Sequence, residues 1–120
     1  MQLVTLDTRG ITDWSTFHDV FAEAFGFPTF YGRNMDAWVD CMTCLDDLSA
    51  EMTKIHAASG CVVVLQLEHI DGFARRCPEQ FAAIIDCSAF VNWRRIEAGR
   101  QAVLALSFYG HPSRGSVVDP

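Results

Sequence analysis

Asp36 and Asp40 stand four residues apart in the stretch "PTFYGRNMDAWVDC", residues 28–41. On a helix, side chains four apart share a face, and two carboxylates so placed repel by about 0.2–0.5 kcal/mol. With Met35 as origin and about 100° per residue, Asp36, Asp40 and Asp47 fall within roughly 40° of one another. Val39 and Thr43 flank them, while Met35, Trp38, Cys41, Met42, Leu45 and Leu48 gather on the other side as a core face. Asp36 alone has a simple use, because an acid in the first turn meets the helix dipole favourably. Asp46 and Asp47, near the expected end of the helix, oppose that dipole. Two readings fit: a solvated helix face, or an anionic surface aimed at a cationic pocket. Phe30 and Tyr31, beside the helix start, favour the second, since aromatics next to charges are what binding hot spots use. Tyr31 suits a place in the core equally well.

Other residue types that do chemistry are weaker candidates. Cys41 and Cys44 form a CxxC, but a redox pair sits at a helix N-terminus, where the thiolate is stabilised. Here the pair lies more than a turn inside the helix, with Cys41 towards the core. A zinc site needs a second pair of ligands; Cys61 and His56 are on hand, with nothing to fix their spacing. No metal or other cofactor is therefore expected. "LEHID", residues 67–71, places Glu68, His69 and Asp71 at the carboxyl end of an expected strand, where open parallel sheets build sites. Glu68 and His69 make the best case for a small enzyme; a helix-capping Asp71 accounts for the stretch as well. There is no Gly-rich phosphate loop, GxSxG or repeated metal-ligand spacing. The arginine pairs at 75–76 and 94–95 read as solvated or salt-bridged.

The elements that position these residues follow from periodicity. "QLVTLD", 2–7, reads as a strand with Leu3 and Leu6 among its apolar positions. In 13–25, Trp14, Phe17, Phe21, Ala24 and Phe25 recur at helical spacing behind Asp13 as N-cap, and Gly26 and Pro28 end the helix. A second helix opens at Asn34 and runs to about Leu48. A polar stretch, 49–60, leads to "CVVVLQL", 61–67, an apolar β-branched run expected to be covered on both faces. Asp71 caps a short turn through Phe73 and Arg75. A long helix follows over 78–98, opened by Pro78 and stopped by Gly99, with Phe81, Ile84, Ile85, Phe90, Val91 and Ile96 towards the core. "AVLALSF", 102–108, is the third strand. Long helical crossovers between successive strands imply parallel neighbours and an α/β fold. One domain over 1–110 and a loose tail over 111–120 are expected.

The chain has 120 residues, half of them apolar, and a formal net charge of −6. That balance argues against nucleic acid and anionic membrane, both of which need positive surface, and suits a basic protein partner. The first ten residues have neither basic n-region nor long apolar run, and no stretch approaches the roughly 18–20 apolar residues of a membrane span. A cytoplasmic protein is expected. Its five cysteines are an odd number without a regular framework, so free thiols in a reducing compartment are expected.

"FGFPTFYGRNMDAWVDCMT", 25–43, resembles the signature of the barstar family, intracellular inhibitors of barnase-type ribonucleases. Pro28, Tyr31, Gly32, Asn34, Asp36, Ala37, Asp40, Cys41 and Thr43 match its motif, and His18 falls in register with a family histidine. The resemblance implies a small three-stranded parallel sheet flanked by helices. It also implies an inhibitor, not an enzyme, that is a monomer until it plugs the active site of a basic ribonuclease. The surface would be Phe30, Tyr31, Gly32, Asn34, Met35, Asp36, Val39, Asp40 and Thr43. Asp40 would take the place of a substrate phosphate, with Asp36 as second anion and Phe30 and Tyr31 as aromatic contacts. Gly32 would permit close backbone approach, and Asn34 would shape the helix start. The chain departs from the family pattern at Phe30, where a tyrosine stands, and at Val39, where an interface tryptophan stands; Leu45 occupies the pattern's aromatic or apolar position at the end of this helix. A binding glutamate of the last helix has no match in "NWRRIEAG", where Arg94, Arg95 and Glu97 are found. A module of the same fold that binds a non-nuclease protein is the second reading, and a small enzyme using Glu68 and His69 the third.

Overall fold

The computed structural model describes residues 2–110. The expected tail, 111–120, lies outside them. Three parallel strands, β1 (Gln2–Asp7), β2 (Val63–Glu68) and β3 (Leu104–Ser107), form a sheet in the order β1-β2-β3. Between them run α1 (Trp14–Phe25) and α2 (Met35–Thr43), then α3 (Ile70–Arg76) and α4 (Pro78–Glu97). This is the α/β architecture that the order of elements implies.

Registers Val4↔Leu65, Leu6↔Leu67 and Val63↔Leu104 put six buried side chains on one face of the sheet. The other face is only partly covered. Val64 and Gln66 are half-buried and Leu3 is exposed, so the central strand is not sealed on both sides as its apolar run suggests. The strands are also shorter at their ends than expected: residues 61–62, 102–103 and 108 lie outside them.

Both ends of α1 and the start of α4 are set locally. Asp13 and Thr16 form a reciprocal capping box at the start of α1, with Thr16 N–H donating to Asp13 Oδ1 at 2.9 Å. Gly26 ends α1 at φ +68°, and a Cβ there would collide with the Lys54 side chain. Phe17, Phe21 and Phe25 are fully buried along its inner face. Pro78 occupies the first turn of α4, where a missing N–H is harmless. Asn92 on α4 accepts from Val103 and Leu104 N–H and donates to Leu104 carbonyl at 2.7 Å, fixing β3 against the helix. His69, at φ +61°, occupies the N-cap position of α3, so Asp71 lies in the first turn of that helix and is not its cap.

Three expectations about burial are corrected on α4. Ile84 and Val91 are fully buried and Phe81 half-buried, but Ile85, Phe90 and Ile96 are exposed. They fall with Trp93 on the outward side, because the buried stripe runs Ile84, Ser88, Val91, Arg95. Among the described residues no helix is long and apolar enough to cross a membrane.

Candidate partner-binding surface

The surface is built outward from the turn after α1. Tyr31 N–H donates to the Pro28 carbonyl at 3.0 Å, which closes the loop tightly. Two side-chain contacts then fasten the loop to α1. Tyr31 Oη lies 2.6 Å from His18 Nδ1. Arg33, at φ +56°, donates to the Asp19 carboxylate at 2.8 Å and to the Ser15 carbonyl at 3.0 Å.

His18 is 4 % exposed. Burial pushes its imidazole below the ordinary histidine range, and burial also pushes the Tyr31 phenol up. Both groups are thus neutral near pH 7, and Tyr31 Oη and His18 Nδ1 share a hydrogen bond. Tyr31 also packs on Phe27 with ring centroids 4.7 Å apart. Tyr31 is half-buried, packs against the core and braces the loop. Phe30 is 74 % exposed.

Asn34 caps α2, its side-chain oxygen accepting from Ala37 N–H at 2.8 Å. That cap sets the rotation of the helix, with Trp38, Cys41 and Met42 buried and Asp36 and Asp40 exposed. Met35 is half-buried and Gly32 is exposed. Val39 is a buried residue, leaving little of it for a partner, and Thr43 is half-buried with Oγ1 donating to the Val39 carbonyl at 2.6 Å. Asp40 lies between two hollows. One, of about 380 Å³, runs between α2 and α4 and is lined by Met35, Asp36, Val39, Asp40, Cys87, Phe90 and Arg94. The other, of about 190 Å³, joins Asp40 to Phe30, Tyr31 and Gly32.

The helix ends at Thr43, five residues before Leu48, and the acidic stripe shortens with it. The cause is Arg95. Its side chain is 3 % exposed, and its guanidinium donates to both Asp46 oxygens at 2.7 and 3.0 Å and to the Thr43 carbonyl at 2.8 Å. A carbonyl held by Arg95 has its partner without a further helical turn. The chain bends, Leu45 turns into the core and Leu48 is left exposed. Asp47 then caps the short turn Leu48–Ala50 through Ser49 N–H and is no part of the α2 face. Two acids of the expected three remain: Asp36 and Asp40.

Asp40 has a cation of its own. Arg94 NH2 donates to Asp40 Oδ1 at 3.1 Å, with side chains 43 % and 58 % exposed. The adjacent pair of arginines hides this difference in the sequence. Arg95 continues the Ile84–Ser88–Val91 spacing and turns in; Arg94, roughly 100° round the helix, turns out.

The remaining candidates stand apart from this surface. Cys41 is buried and its thiol is pushed up to about 11 by burial, with Cys44 raised for the same reason. Neither favours the thiolate a redox pair needs. Glu68 and His69 line an open cleft of about 420 Å³ at the carboxyl end of the sheet, together with Ser107 and Tyr109. Among the described residues no hydrogen bond joins the Glu68 carboxylate to the His69 ring. The His69 carbonyl instead accepts from Thr8 Oγ1 at 3.1 Å, which ties that corner to β1.

The profile of the family described as Barstar (barnase inhibitor) matches residues 1–106. The chain belongs to the barstar family. It is also similar to YrdF of Bacillus subtilis (strain 168), a protein provisionally named a ribonuclease inhibitor. The two are 38% identical over 48 residues, 40% of this chain and 53% of that protein. The chain thus spans about half the length of the relative it matches. In this chain the pinned loop and the capped α2 carry the residues from Pro28 to Thr43.

Proposed function

We propose that this protein is an inhibitor that binds a basic ribonuclease inside the cell that makes it and blocks its active site with Asp40, Asp36 and Phe30. The observation that carries the reading is the exposed carboxylate pair on α2 set beside an exposed aromatic on a loop pinned to α1. A site shaped for a phosphodiester is strongly positive, and a carboxylate held in place satisfies it while offering no bond to cleave. Close charge pairs in the barnase–barstar complex itself couple by about 1.5–7 kcal/mol, a measured range quoted for that complex. It exceeds both the like-charge cost of Asp36 beside Asp40 and the roughly 0.2–1 kcal/mol of an exposed bridge such as Asp40–Arg94.

The test is titration of barnase-catalysed RNA hydrolysis with the purified protein. Stoichiometric inhibition is expected, and Asp40→Ala should weaken it by more than about 2 kcal/mol while the melting temperature stays within a few degrees. Unchanged hydrolysis at equimolar protein and enzyme would overturn the reading for this enzyme class and leave a barstar-fold module with a non-nuclease partner. The enzyme reading with Glu68 and His69 has no acid–base contact in its favour.

A further inference from the structure

Arg94 and Arg95 are neighbours with opposite employment. Arg95 is buried and holds Asp46 through two nitrogens. Arg94 reaches Asp40 through one nitrogen, and both side chains remain near half exposed. The first contact is fixed; the second is exchangeable, worth no more than about fivefold in an equilibrium constant. Arg94 also has somewhere else to go. Glu97 lies three residues on along α4, is exposed, and makes no ion pair among the described residues. An arginine and a glutamate at that spacing are neighbours on a helix surface.

We propose that Arg94 is an internal competitor for Asp40, so that this carboxylate opens to a partner presenting several fixed cations and stays closed to loose ones. The proposal rests on the reading of Asp40 as the anion a partner seeks. A single mobile cation on another protein can at best repeat the contact Arg94 already makes, and it must also bear the loss of freedom on association. Exchange then gains nothing. A rigid pocket that meets Asp36 and Asp40 together gains on both carboxylates and displaces Arg94 towards Glu97. The groove of Met35, Val39, Cys87 and Phe90 gives such a pocket an apolar wall to close against. Arg94 therefore costs affinity for every partner that takes Asp40, and one that gains on both carboxylates still binds where a single loose cation gains nothing.

Two probes decide it. The first is dye-labelled hexalysine, a flexible cation chain with no preformed pocket, followed by fluorescence anisotropy at low salt. Arg94→Ala should bind it several-fold more tightly than the parent. Arg75→Ala, the same charge change at an exposed position on α3, should gain far less, and Asp40→Asn added to Arg94→Ala should remove the gain. An Arg94→Ala protein that binds no better than Arg75→Ala, or a gain that survives Asp40→Asn, overturns the proposal. The second probe is barnase. There Arg94→Ala should also bind more tightly, by up to the same factor, since either ligand must displace Arg94 to reach Asp40. Weaker inhibition by Arg94→Ala would mean that Arg94 touches the enzyme, and would likewise overturn it. If no form of the protein inhibits barnase, the ribonuclease reading falls for that enzyme and hexalysine alone judges Arg94.

Discussion

Phe30 and Tyr31 are adjacent in the chain and do different work. Phe30 is 74 % exposed, so Phe30→Ala should change the stability read by urea titration by less than about 0.5 kcal/mol. Its effect belongs in the inhibition constant. Tyr31→Phe should do the reverse, removing the hydroxyl that satisfies His18 Nδ1 and lowering stability by about 1–3 kcal/mol, read by the same urea titration. His18 itself gives stability a pH dependence. Its folded pKa is lowered by burial, whereas in the unfolded chain it titrates near about 6.5. Below that pH the unfolded state takes up a proton that the folded state refuses. The His18 contribution is therefore full above about pH 6.5 and declines as pH falls towards the lower folded value. Urea midpoints at pH 7.5 and 5.0 should differ in the parent and differ less in His18→Gln.

At the scale of elements, α2 is a short helix gripped at both ends. Asn34 sets its start and Arg95 takes the carbonyl at its finish. Asp46→Ala should leave a buried guanidinium without its carboxylate and cost about 3–5 kcal/mol by chemical denaturation, against under about 1 kcal/mol for Asp40→Ala. Two aspartates six residues apart thus separate cleanly into one that holds the fold and one that faces outward. The sequence shows the start of this helix because a cap is local: Asn34, then Asp36, then an apolar row. It does not show the end, because the residue that stops the helix lies about fifty positions downstream on α4. The same blindness explains Leu48, taken for core and found exposed. The inward turn of Arg95 had a signal, the spacing Ile84–Ser88–Val91–Arg95, but a charged residue at the end of an apolar stripe does not read as core. That Arg94 meets Asp40 is a contact between two surfaces and has no local trace at all.

Over the whole molecule, the order of strands and helices was legible because long crossovers between short apolar runs leave few ways to arrange a parallel sheet. Coverage of the sheet was not, since a run such as Val62–Leu65 looks the same whether its second face is sealed or half-open. The net charge of −6 acts at this scale too. It extends the pull of Asp36 and Asp40 beyond contact range, so association with a basic enzyme should be fast at low salt and slow steeply as ionic strength rises, while dissociation changes less. Stopped-flow mixing with barnase at a series of salt concentrations measures both rates. The long outward side of α4, with Phe90 and Trp93 stacked 5.8 Å apart, lies next to the same groove.

The loop from Pro28 to Asn34 is held from behind, by His18 and by the reach of Arg33 to Asp19 and Ser15. Under the proposed function, its fit to a partner can be retuned from α1, a helix set behind the loop. A substitution at Asp19 would release one anchor of Arg33 while every residue from Pro28 to Thr43 stayed in place, so that related chains can differ in what they hold without altering the acids themselves.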